Sequence, residues 1–82
     1  MSAIREVIEV LARALTDRPD DVRVIESEHR GTTLVELYVA PGELGRVIGK
    51  QGRTAAALRT LAVTAGEKIG KTVTLEIRDG KP

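Results

Sequence analysis

The run Val35-Glu36-Leu37-Tyr38-Val39 and the later run Val73-Thr74-Leu75-Glu76-Ile77 each alternate apolar and polar residues, and the stretch between them carries helical rather than strand periodicity. Alternation puts every second side chain on one face of a strand. A helical crossover of this kind is what parallel pairing of two strands requires. An earlier run, in which Val22 and Val24 alternate with Arg23, is separated from Val35 by the breaker Arg30-Gly31-Thr32. Two strands joined across so short a turn pair antiparallel. The spacing therefore predicts a mixed three-stranded sheet. Leu34, Glu36 and Tyr38 fall on the opposite face of the second strand from Val35, Leu37 and Val39, so only one face is consistently apolar, and the helices are expected together on it.

Ile4, Val7, Ile8, Leu11 and Leu15 follow the i, i+3, i+4, i+7 pattern of an amphipathic helix, with Ser2 as its N-cap. Arg18 precedes Pro19 and is biased away from helical angles, so this helix should end near Thr16, with Pro19-Asp20-Asp21 forming a turn. Pro41 suits a helix start, and a short helix of two turns is expected from there to Ile48. A long helix follows Gly52, with Ala55, Leu58, Leu61, Ala62, Ala65 and Ile69 on its core face. Gly66 weakens it slightly, and Gly70 stops it, with Lys68 and Lys71 near the negative end of its dipole. The expected order is α-β-β-α-α-β, an α+β fold with three helices on one face of the sheet. Residues 1–82 are read as a single domain in which Asp79 to Pro82 form a flexible tail.

A chain of 82 residues buries one thin core and has no room for a deep enclosed pocket. It has no cysteine and one histidine, which excludes disulfides, thiolate zinc sites, a cysteine nucleophile and a multi-histidine metal centre. No cofactor, metal or small-molecule substrate is expected. There is no Phe or Trp and a single tyrosine, Tyr38, so modules that stack several bases on aromatic rings are disfavoured. Arg5, Glu6 and Glu9 interrupt any apolar leader, and no run approaches the roughly 18 apolar residues of a membrane span. A soluble cytoplasmic protein is the expectation.

The net charge of +1 hides an asymmetry. Residues 1–45 hold five basic and nine acidic side chains, whereas residues 46–82 hold eight and three. No carboxylate lies between Glu43 and Glu67, while Arg46, Lys50, Arg53 and Arg59 all do, so a field that attracts anions originates there.

Within that window stands Val47-Ile48-Gly49-Lys50-Gln51-Gly52-Arg53-Thr54, between the short helix and the long one. Two glycines three apart permit backbone angles closed to other residues and let a ligand backbone come close. Gly52, Arg53 and Thr54 open the long helix, so its unpaired N–H groups and positive dipole end face whatever lies over the loop. Arg46, Lys50 and Arg53 add charge, and Val47 and Ile48 offer an aliphatic shelf on which an unstacked base could rest. This geometry suits a single strand, because a base inside a duplex cannot turn toward such a shelf.

The loop and the element order together resemble the KH domain of the bacterial type II form, and the stretch Leu44 to Arg53 is similar to that of the small one-domain bacterial KH proteins. The resemblance covers nearly the whole chain. It implies RNA binding in the cytoplasm, with Gly49, Lys50, Gln51 and Gly52 facing phosphates and Val47 and Ile48 in the hydrophobic shelf. It also implies a homodimer or a partnership with a second KH protein (KhpB, also called Jag or EloR), an RNA-chaperone role, and links to cell-wall synthesis and cell shape. Ala55 stands where many KH domains carry a large aliphatic residue, which implies a shallower groove floor.

Gly45 to Gln51 superficially resembles a P-loop, but it is one residue short and Gln51 replaces the Ser or Thr that would hold magnesium. His29 has no neighbouring ligand type, and no pairing of carboxylates is visible, so no enzymatic activity is expected. The rival to RNA binding is a protein-interaction module: Val63 lies off the core face of the long helix, near Ala56, and an apolar stripe there suits association.

Overall fold

In the computed structural model, which describes residues 2–82, the Ser2 side chain starts the first helix by accepting the Arg5 N–H at 3.0 Å. Helix α1 (Ala3–Leu15) ends where Thr16 turns extended and its N–H closes onto the Ala12 carbonyl. The Ser2 hydroxyl also donates to Glu26, and Arg5 Nε donates to the Val24 carbonyl at 3.0 Å, so α1 is tied to the strand beside it. A single 3₁₀ turn at Pro19–Asp21 then leads into β1 (Arg23–His29).

Strand β2 (Thr32–Val39) pairs antiparallel with β1, from Arg23 opposite Tyr38 to His29 opposite Thr32. The two-residue connection holds Arg30 at φ 51 and Gly31 at φ 82. Positive φ at both positions gives a turn whose twist matches that of the strands it joins. On its other side β2 pairs parallel with β3 (Thr72–Asp79), from Thr32 beside Thr72 to Val39 beside Asp79. The sheet order is β1-β2-β3, as the strand spacing predicts. The Gly80 N–H also donates to the Val39 carbonyl at 2.8 Å, so pairing reaches two residues into the segment expected as a tail.

The expected helix from Pro41 is shorter. Gly42 sits at φ 89 and the Glu43 N–H closes onto the Ala40 carbonyl at 3.0 Å, so Pro41-Gly42 form the centre of a tight turn. Helix α2 is only Leu44–Ile48, and α3 (Arg53–Lys68) follows after the loop. A glycine in the left-handed region cannot continue a helix that proline would otherwise begin.

One cluster forms the core: Ile4, Ile8 and Ala12 of α1, Val35, Leu37 and Val39 of β2, Val47 of α2, Leu58 and Ala62 of α3, Val73 and Leu75 of β3, with Val22 and Val24. Two helix faces differ from the periodicity. Val7 is 49% exposed, as is Leu61, while Ile69 is 58% exposed and Ala65 is also on the surface. The buried stripe of α3 runs through Ala55, Leu58, Ala62 and Gly66. Gly66, read as a weak point in the helix, is where α3 packs directly on Val73 of the sheet. A Cβ there would run into a Val73 methyl group and stand 2.8 Å from the Lys71 carbonyl. The same residue anchors the helix end: the Lys71 N–H donates to the Gly66 carbonyl at 2.8 Å and the Gly70 N–H to Glu67 at 3.1 Å, with Gly70 at φ 71. This is the two-bond helix stop that a left-handed glycine permits.

Gly66→Ala tests this packing. Glycine to alanine in a helix interior ordinarily stabilises by about 1 kcal/mol, whereas overlap with Val73 should reverse the sign and cost about 1–3 kcal/mol. Urea denaturation of the two proteins measures the difference.

Candidate functional site

The loop between α2 and α3 is closed by three successive backbone bonds. The Gly49 N–H donates to Gly45 at 2.9 Å and ends α2, the Gly52 N–H donates to Gly49 at 3.1 Å, and the Arg53 N–H donates to Lys50. So tight a reversal demands unusual angles. Gly49 has φ 78 and ψ 173, Gln51 φ 57 and ψ 25, and Gly52 φ 71 and ψ 13.

The two glycines serve different ends. The combination at Gly49 is essentially restricted to glycine, and a Cβ there would stand 2.7 Å from the Thr54 Cβ and 3.1 Å from its nitrogen. Thr54 packs over Gly49 and locks the loop onto the first turn of α3. Gly52 has open space where its side chain would be, so it provides a left-handed hinge and leaves the loop's outer side clear. Gln51 holds a left-handed conformation without being glycine, at a cost of about 1–2 kcal/mol. Strained positions of this sort cluster where a loop must present its groups to a ligand. Lys50 and Gln51 are both exposed, and no side chain caps α3, whose positive dipole end faces the same space.

The residues expected at the site divide three ways. Gly49, Lys50, Gln51, Gly52, Arg53 and Thr54 form one continuous surface, with Ile48 half-buried beside it. Among the described residues neither Lys50 nor Arg53 has an ion-pair partner, so their charge is available. Val47 is wholly buried and belongs to the core. It pins α2 to the sheet and offers no shelf to a base, which leaves Ile48 as the accessible apolar side chain. Arg46 faces another way: it pairs with Asp17 at 2.8 Å and with Glu43 at 3.7 Å.

That pairing belongs to a lock between the end of α1 and the start of α2. Glu43 Oε1 accepts the Thr16 hydroxyl at 2.5 Å and the Asp17 N–H at 2.6 Å. The Thr16 bond first, then the Asp17 N–H, and lastly the nearby Arg46 and Arg18 charges hold the Glu43 carboxyl below its usual range, against a smaller opposing effect of burial. The two carboxylates thereby hold the Arg46 guanidinium on the α1 side of α2. Sequence proximity to the loop suggests a phosphate contact, but helix α2 turns Arg46 toward Asp17.

Arg59 was visible in the sequence only as a cation in the acid-free window. Its Nε reaches the Leu75 carbonyl at 3.4 Å, across the side of β3 that no strand covers. Arg59 is thereby held at the open edge of β3, about 9 Å along α3 from Arg53. Among the described residues no group of three His, Cys, Asp or Glu side chains could hold a metal ion, and no helix is long and apolar enough to cross a membrane.

The two glycine roles predict unequal costs. Gly52→Ala should lose about 1 kcal/mol of stability from its positive φ alone, whereas Gly49→Ala should lose about 3 kcal/mol by adding overlap with Thr54. Thermal unfolding of both variants, with amide spectra of the loop, measures this.

The profile of the KhpA/KhpB KH domain matches residues 5–77. RNA-binding protein KhpA of Aquifex aeolicus is 54% identical over 77 residues, which span 94% of this chain and 98% of that protein. RNA-binding protein KhpA of Clostridium perfringens is 43% identical over 74 residues, 90% of this chain and 99% of that one. Among solved structures, Era in complex with MgGDPNP and nucleotides 1506–1542 of 16S ribosomal RNA shares the fold, with a TM-score of 0.60 and 20% identity over 93% of this chain. The chain spans 29% of Era. An α-β-β-α-α-β chain with a mixed sheet and a Gly-Lys-Gln-Gly loop between its second and third helices, matched over nearly its full length by these relatives, belongs to the KhpA/KhpB KH-domain family.

Proposed function

We propose that this protein binds RNA, holding a short single strand of about four nucleotides over Gly49 to Gly52. The observation that carries the reading is the loop itself: two left-handed residues and a glycine-only hinge expose Lys50 and Gln51 at the start of α3, beside an unpaired Arg53. Phosphates contribute most of the affinity in such a site, and Ile48 supplies one apolar face for a base. With little base-edge readout, discrimination among sequences is weak. Family membership supports a role in the cytoplasm as an RNA chaperone or post-transcriptional regulator that works with a second KH protein of the KhpB, Jag or EloR kind, with effects on cell wall and cell shape.

A second reading rests on the exposed apolar side chains that the periodicity had assigned to the core. Val7 of α1 and Leu61 and Ile69 of α3 line an apolar groove between these helices, whereas Val63, 41% exposed, lies on the other side of α3 and outside this groove. A surface of this kind suits a homodimer or a complex with a second KH protein, and its use leaves the loop free. Light scattering of Leu61→Glu should show the mass of one chain where the parent shows two, with RNA affinity per chain unchanged. A monomeric parent protein would refute dimerisation through this groove.

Lys50→Asp combined with Gln51→Asp should abolish RNA binding without loss of the folded amide spectrum. Arg46 supplies a second check. If only Lys50 and Arg53 meet phosphates, the logarithm of affinity should fall with that of salt at a slope of about −1.4, and Arg46→Gln should leave it there. A slope near −2.1 that Arg46→Gln reduces would return Arg46 to the site.

A further inference from the structure

The face of the sheet turned away from the helices carries one row unlike the others. Arg23 of β1, Tyr38 of β2 and Arg78 of β3 stand side by side in register, so the protein's one aromatic residue has an arginine on each neighbouring strand. The row is held in place. Glu36 Oε2 accepts the Tyr38 hydroxyl at 3.1 Å and pairs with Arg78 Nε at 3.3 Å. Arg23 Nη1 donates to the Asp20 and Val22 carbonyls at 2.8 Å each, which leaves its remaining N–H groups for a ligand. The ring is half-buried, while both arginines are exposed.

The row lies at the loop's end of the sheet. Helix α3 runs back along β3, with Arg59 level with Leu75. Arg53 is about 9 Å further along the helix, and Arg78 is about 10 Å further along the strand. A strand leaving the loop past Arg53 thus meets the uncovered edge of β3 close to Arg78. The neighbouring row holds Ile25, Glu36 and Glu76, and of its two carboxylates Glu36 is already engaged by Tyr38 and Arg78.

We propose that single-stranded RNA longer than the loop can hold continues around the edge of β3 onto this face, stacking a base on Tyr38 with its phosphates between Arg78 and Arg23. An aromatic platform flanked by cations is how sequence-tolerant single-strand binding works. The inference rests on the RNA-binding reading of the loop.

Because Tyr38 is the single tyrosine, 3-fluorotyrosine labelling gives one ¹⁹F resonance from the row, while loop amides report separately in the same sample. The probes are oligouridines of about four and about twelve nucleotides. The short one should shift the loop amides only; the long one should also move the ¹⁹F line and bind about tenfold more tightly than its roughly nine overlapping four-nucleotide registers alone would give. Tyr38→Leu should erase that gain, and Tyr38→Phe should keep it. Loop shifts with the long RNA but an unmoved ¹⁹F line would overturn this inference and leave the loop reading intact. Silence at both places would overturn both. A glutamate-rich peptide that moves the ¹⁹F line as far as the long RNA would also overturn it, making the face a protein-docking surface.

Discussion

The central strand is the constraint on which the other elements depend. β2 is paired on both edges, and Val35, Leu37 and Val39 are wholly buried, so its helix-facing side is the floor of the only core cluster among the described residues. Helices α1 and α3 bury Ile8, Leu58 and Ala62 against that floor. The chain leaves β2 through the Pro41-Gly42 turn directly into α2, whose buried Val47 fixes the short helix two residues before the loop. Gly66 then lets α3 approach β3 closely. The position of the loop is therefore set by apolar packing at both of its ends, and its own strained angles are held by the structure around it rather than by local preference.

Charge is distributed by the same geometry. Of the cations in the acid-free window, Arg46 is committed to Asp17 and Glu43, and Arg59 leans onto a backbone carbonyl, while Lys50 and Arg53 remain free beside the exposed backbone of the loop. Two free cations make a weak site. If the loop holds RNA as proposed, weak binding by one small module favours either a longer contact along the same RNA or a second module beside it. The surface offers a place for each: the Arg23-Tyr38-Arg78 row on the open sheet face, and the apolar groove of Val7, Leu61 and Ile69 between α1 and α3. They lie on different sides of the molecule, so one does not compete with the other.

Element order, the antiparallel and parallel pairings and the loop between two helices were legible in the residues because each rests on a local or periodic signal. Alternation at Val35-Leu37-Val39, the Arg30-Gly31 breaker, the Ser2 cap and the Gly70 stop all act within a few positions of chain. Gly49, Lys50, Gln51, Gly52, Arg53 and Thr54 were legible for the same reason. What periodicity misjudged was the width of the helix faces. It placed Val7, Leu61, Ala65 and Ile69 inside, but a three-stranded sheet is too narrow to cover a full apolar stripe on both α1 and α3. It also read Pro41 as a helix start without the left-handed Gly42 that follows.

The sequence by itself determined which segments become strands and helices, how they pair, and where a phosphate-sized loop with positive charge would stand, since these follow from spacing and from the angles glycine and proline permit. Only the tertiary structure decided that Val47 is core rather than shelf, that Arg46 serves Asp17 and Glu43, that Gly66 is a contact rather than a flaw, and that Arg23, Tyr38 and Arg78 form one row. Each of these depends on which residues distant in the chain meet. That is a property of packing and register, and no local pattern encodes it.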